Sequence, residues 1–120
     1  MKVLALRGAT TVEANTKAEI DVKTQRLVSE MLERNAIAHD DLVSIIFTAT
    51  DDITAEFPAT AARALGLGDV PLLCARELAI DHGKPLAIRV MMHFYGDQAR
   101  NELHHVYLEG ARSLRDDLPD

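Results

Sequence analysis

The run Leu86-Ala87-Ile88-Arg89-Val90-Met91-Met92 decides the fold. Leu86, Ile88, Val90, Met92 and Phe94 alternate with Ala87, Arg89, Met91, His93 and Tyr95. A two-residue period of this kind marks a strand with one buried face. It also sets a permanently charged guanidinium, Arg89, in the middle of an apolar strand, where it is costly unless an anion meets it. The anion could be one of the protein's own carboxylates or a bound ligand. Val3-Leu4-Ala5-Leu6-Arg7 repeats the arrangement and ends on Arg7. Two such arginines, each on its own apolar strand, point to a pocket for a small, multiply charged anion as strongly as to two internal ion pairs.

The remaining composition narrows the function classes. The 120 residues suit a single domain spanning 1–120, and 48% hydrophobic with 27% charged residues is an ordinary globular balance. No apolar span approaches the ~18 residues of a transmembrane helix. The apolar part of Met1 to Arg7 is too short for a signal peptide, and the single cysteine fits a reducing cytoplasm. A net charge of −6 without any basic run argues against nucleic acid or a membrane as partner.

Outward from the central run, residues 2–8 read as a first strand ending at Gly8. Thr16-Lys17-Ala18-Glu19 has the form of a capping box, with Glu19 reaching back. Ile20, Leu27, Val28, Met31 and Leu32 then share a helical face up to Asn35, a candidate left-handed stop. Val43 to Thr50 is β-branched and reads as a second strand. Pro58 opens a short helix that leaves at Gly66. Pro71 to Glu77 is a third strand, and Leu103 to Leu108 a fifth after a loop from Gly96 to Glu102. Arg112 to Asp120 reads as a polar, loosely held tail.

These elements give an α+β fold, a single mixed five-stranded sheet with helices on one face. Two helices cannot cover both faces. The second face, with Ala87, Ile46 and Met91 among Arg89, Thr48 and His93, is too apolar to stay wet. Another copy of the chain is expected to cover it, with the arginines near the seam of a homo-oligomer.

Other candidate residues admit two readings each. Cys74 could be a nucleophile, but no sequence signature supplies the base or cationic setting a thiolate needs, and a small buried hydrophobe is the better reading. His104-His105 lacks metal-ligand spacing, and neighbours on a strand point to opposite faces, so no metal site is expected. Glu77 could pair with an arginine or accept from a ligand hydroxyl. Tyr107 could pack in the core or donate to a carboxylate. Phe57 could staple the second helix or wall a pocket. Arg63 reads as a solvated face residue unless that helix borders the site.

Taken in order, Leu6-Arg7-Gly8-Ala9-Thr10-Thr11-Val12-Glu13, Phe47-Thr48-Ala49-Thr50-Asp51-Asp52 with Phe57-Pro58-Ala59, Val70 to Glu77, Ile88-Arg89-Val90-Met91 and His105-Val106-Tyr107-Leu108-Glu109 resemble one family. The chain looks like a monofunctional chorismate mutase of the AroH type, the trimeric α/β class. The resemblance runs from about Val3 to Leu118. It implies a homotrimer whose sheets face inward as a pseudo-α/β barrel, with active sites between subunits. It implies the rearrangement of chorismate to prephenate in aromatic amino acid biosynthesis, with no cofactor. By motif position it implies that Arg7 holds a carboxylate, that Arg89 reaches a carboxylate and the ether oxygen, and that Tyr107 donates to a carboxylate. Glu77 and the backbone at Leu73 and Cys74 would meet the ring hydroxyl. Ala75 and Arg76 would join the binding strand, and Phe57, Ala59, Arg63, Leu114 and Arg115 would line or close the cleft. Thr60 and His104 stand where the family commonly has basic residues, and the 96–102 loop lacks the family's usual proline.

The implied reaction is a unimolecular pericyclic rearrangement, and the absence of a triad, a metal site and a cofactor loop is what that implication leads one to expect. The rival enzyme reading is a trimeric enamine or imine deaminase built on Cys74 and Arg89. The rival without catalysis is a trimeric module that binds an aromatic-pathway acid.

Overall fold

In the computed structural model, which describes residues 1–114, the Arg89 strand is the middle strand of the sheet. The strands are β1 (Lys2–Thr11), β2 (Leu42–Ala49), β3 (Leu72–Arg76), β4 (Ala87–Gly96) and β5 (Val106–Tyr107), in spatial order β3-β2-β4-β1-β5. β4 runs antiparallel to β1 and β2, while β3 and β5 lie parallel to β2 and β1 at the two edges. Ile88, Val90, Met92 and Phe94 are buried, and Arg89 and Tyr95 are exposed, as the alternation requires. Leu86 stands just before the strand at φ 49° and packs beside Val12, Ile20 and Ile88.

One helix supplies most of the cover. In α1 (Lys17–Arg34), Ile20, Leu27, Val28 and Met31 are fully buried, the last three in one cluster with Leu6, Ile45, Phe47, Val90, Met92 and Phe94. Thr16 caps the helix by accepting from the Glu19 amide at 3.2 Å. The Glu19 carboxylate does reach back, but past the cap, to the Glu13 amide at 2.8 Å. α2 (Pro58–Ala62) widens into a single looser turn over Arg63–Leu67, which Gly66 leaves at φ 90°.

Beyond one-residue shifts at the ends of β2 and β3, three features differ from the sequence reading, each for a reason of packing or hydrogen bonding. β1 does not end at Gly8 but continues to Thr11. A Cβ at Gly8 would lie 2.5 Å from Met31 Sδ, so this glycine marks the close approach of α1 rather than a strand end. Asn35 is not the left-handed stop; its φ is −113°, and Ala36 takes φ 51°. The buried Asn35 side chain donates to the Met31 and His104 carbonyls and accepts from the His104 amide. That clasp contributes to the third difference. β5 spans Val106–Tyr107 alone, because the Leu103 amide turns back to the Arg100 carbonyl, the His104 backbone is held by the Asn35 side chain, and His105 meets β1 through its ring.

A 3₁₀ turn, Glu109–Leu114, follows β5. It is fixed by the Gly110 amide donating to Thr11 Oγ1 at 2.9 Å and by a 3.2 Å ion pair of Lys23 with Glu109. Arg112 to Leu114 therefore belong to an ordered turn, and the rest of the expected tail lies outside the described residues. No described helix is long and apolar enough to cross a membrane.

α1 and α2 leave the second sheet face uncovered in the protomer. Val3, Leu73 and Tyr95 are 55%, 61% and 45% exposed, and Ile46 and Met91 are half-buried there. These apolar side chains lie on the sheet face that the helices leave open, the face the sequence reading expected another copy to cover.

Candidate active site

The uncovered face carries the chemistry, and strand register explains how. One cross-strand row reads Ala75, Thr48, Arg89, Ala9, Tyr107 from β3 to β5. The next row reads Leu73, Ile46, Met91, Arg7. Arg7 and Arg89 thus project from neighbouring antiparallel strands on the same side. Glu77 joins them because its amide donates to the Ala49 carbonyl at 2.9 Å, which extends the β2–β3 ladder beyond Arg76. A cleft of about 300 Å³ results, and Arg7, Thr48, Glu77, Arg89, Tyr107 and Leu114 are among its lining residues. Five residues expected at the site are brought together there: Arg7, Glu77, Arg89, Tyr107 and Leu114.

The two arginines differ in their partners. Arg89 Nε stands 3.5 Å from Glu77 Oε2, with the side chains 46% and 26% exposed. That separation exceeds the ~2.7–2.9 Å of a charge-assisted hydrogen bond. Among the described residues, no carboxylate lies within ion-pair distance of Arg7. The internal-carboxylate reading therefore fits Arg89 loosely and Arg7 not at all. Glu77 is held from its other side, where the Thr48 hydroxyl donates to the same Oε2 at 2.6 Å. Thr48 was visible in the sequence only as a polar residue on the open face. Its hold on Glu77 appears only when β2 and β3 are paired.

The other described residues expected at the site do not line this cleft in the protomer. Phe57, Cys74, Ala75 and Arg76 line a separate hollow of about 470 Å³ at the β3 edge of the sheet. There Phe57 is 66% exposed, and Arg76 pairs with Asp51 at 3.4 Å. Cys74 is half-buried against the core. Leu73 points to the open face, in the Arg7 row. Arg63 is exposed on the turn after α2, whereas Ala59 is 4% exposed, packs into the core and lines neither hollow. Arg115 lies outside the described residues. No group of three or more described His, Cys, Asp or Glu side chains could hold a metal ion.

Known proteins share this fold and much of this sequence. The family model "Chorismate mutase type I" matches residues 3–118. Chorismate mutase AroH of Thermus thermophilus is 44% identical over 117 residues, 97% of this chain and 96% of that protein. Chorismate mutase AroH of Bacillus subtilis is 41% identical over 119 residues, 98% and 94% of the two chains. A solved chorismate mutase from Clostridium thermocellum superposes with a TM-score of 0.90 at 46% identity, covering 92% of this chain and 98% of its own. With the match spanning nearly the whole chain, the protein belongs to the type I chorismate mutase family.

Proposed function

We infer that the chain is a chorismate mutase, converting chorismate to prephenate by an intramolecular rearrangement at clefts between the protomers of a homotrimer. The observation that carries this reading is the convergence of Arg7, Arg89, Glu77 and Tyr107 on one cleft, with a guanidinium at Arg7 that meets no carboxylate among the described residues. A dicarboxylate is the ligand such a cleft suits.

The trimer is argued from the division of the site. Phe57 and Arg63 lie apart from the Arg7 cleft, at the β3 edge and on the turn beyond α2. In a ring of copies whose open faces pack inward, the edge of one protomer closes the cleft of the next. The exposed Val3, Leu73 and Tyr95 then become buried.

The reaction moves no proton and needs no nucleophile. The protein supplies two effects. Arg7 and Tyr107 hold the carboxylates so that the enolpyruvyl arm folds over the ring and the bonding carbons come close. Arg89 stands beside the ether oxygen. Cleavage of the carbon–oxygen bond runs ahead of carbon–carbon bond formation, so negative charge grows there, and a fixed cation stabilises it more than the ground state. Enzymatic accelerations begin near 10⁶-fold, about 8 kcal/mol, and a preorganised cation in a partly dry cleft supplies a large share of that. Glu77 accepts from the ring hydroxyl. No cofactor is needed. The lone, free Cys74 fits a cytoplasmic location.

Ultraviolet loss of chorismate with the purified protein tests the reading. Turnover supports the mutase. Binding without turnover makes the protein a sensor, and release of ammonia from an enamine makes it a deaminase.

A further inference from the structure

An amide inside a sheet is ordinarily met by a carbonyl of the next strand. At Arg7 it is not. β5 pairs with β1 only at Gly8–Val106 and Ala9–Tyr107. One residue earlier, the Arg7 amide donates to Nδ1 of His105 at 2.9 Å. An imidazole thus replaces one rung of the ladder, at the residue whose guanidinium lines the cleft. The ring is delivered there by the Asn35 clasp on His104, which holds the incoming chain off the ladder. A ring nitrogen accepts only when it bears no hydrogen, so this contact requires a neutral His105 with its hydrogen on Nε2.

We propose that His105 is a positioning residue for the anion site: its neutral ring pins the backbone of Arg7, and protonation of the ring releases it. The inference rests on the reading of Arg7 as a carboxylate anchor. Arg89 belongs to β4 and is tied to Glu77, so loosening Arg7 weakens substrate capture without altering the charge beside the ether oxygen.

The surroundings of the ring make the contact sensitive to charge. His105 shares a hollow with Lys2 and Arg7 of β1, Arg100 of the turn before Leu103, and the uncharged Met91 of β4. His93 and Glu102, from β4 and the turn before Leu103, have partners of their own among the described residues. His93 of β4 lies opposite Ala5 and meets the Ser44 hydroxyl at 3.3 Å, and the Glu102 carboxylate accepts from the Ala99 amide. Among the described residues, the charged side chains that share this hollow with His105 are Lys2, Arg7 and Arg100, and a proton on Nδ1 removes the acceptor of the Arg7 amide.

Two measurements on the full-length protein test this. In nitrogen-15 NMR, His105 is expected as the Nε2–H tautomer at neutral pH, with the Arg7 amide resonance moving as the ring titrates. In kinetics with chorismate, KM is expected to rise about three- to tenfold as pH falls through the histidine range, the size of one lost hydrogen bond, while kcat holds. His105→Asn keeps an acceptor that does not titrate, so it should retain the neutral-pH KM and lose the acid rise. His105→Ala should show the raised KM at every pH. An Nδ1–H tautomer, or an acid rise that persists in His105→Asn, overturns the proposal. The NMR arm needs no turnover, so it separates failure of this contact from failure of the mutase reading.

Discussion

Arg89 and Glu77 approach within 3.5 Å, Nε to Oε2, while Thr48 donates to that same oxygen at 2.6 Å. The carboxylate is thus fixed from one side by a hydroxyl and holds the guanidinium only loosely on the other. Glu77→Ala removes both the charge beside Arg89 and the proposed acceptor for the ring hydroxyl. A hydrogen bond to a charged group contributes about 1.5–3 kcal/mol, so kcat/KM should fall roughly ten- to hundredfold. The pair is partly exposed and worth about 0–1 kcal/mol to folding, so calorimetry should show a nearly unchanged Tm. A large loss of Tm with intact activity would make Glu77 a structural partner only.

The proposed rearrangement transfers no proton, so kcat should stay nearly flat from about pH 6 to about pH 9. The acid effect expected from His105 belongs to KM. Steady-state kinetics that resolve kcat from KM decide this, and a bell-shaped kcat profile centred on a histidine would contradict the chemistry.

Gly8→Ala probes the contact of α1 with the sheet. The new methyl meets Met31 Sδ at 2.5 Å and Leu27 Cδ1 at 3.1 Å, inside a core where both side chains are fully buried. Overpacking of this kind costs about 1–3 kcal/mol, and thermal unfolding should move down by several degrees. An unchanged Tm would mean that the helix shifts freely over β1.

Mixed assemblies test whether the cleft is shared. Arg89→Ala and Phe57→Asp should each be inactive alone. Refolded together in equal amounts, about one quarter of the clefts would combine an intact Arg89 with an intact Phe57 of the neighbour. Activity near that fraction supports a site between protomers, and no recovery places both residues in one chain's site.

Much of this was legible in the sequence because β4 obeys one rule along its length: a residue that faces α1 is apolar. That rule located the sheet, its buried face and the exposed position of Arg89. Arg7 stood out by the same reasoning on β1, the resemblance gave Glu77 and Tyr107 their roles, and the strands bring all three to the cleft that Arg89 lines. What escaped were interactions between segments far apart in the chain. Gly8 reads as a stop until Met31 is seen above it. Leu103 to Leu108 reads as a strand until Asn35 and His105 are seen to take its partners. Ala59, expected to line the cleft, sits on the core face of α2 in the protomer, where its methyl packs into the hydrophobic cluster.

The central claim is that a rigid cation at residue 89 stabilises the ether oxygen as it gains charge. The direct measurement is kcat for Arg89→Lys at saturating chorismate, with the assembled mass checked in solution. A flexible ammonium cannot reproduce the planar fork, so kcat should drop at least a hundredfold, about 2.7 kcal/mol, with the fold intact. A kcat within a few fold of the parent protein would contradict the account.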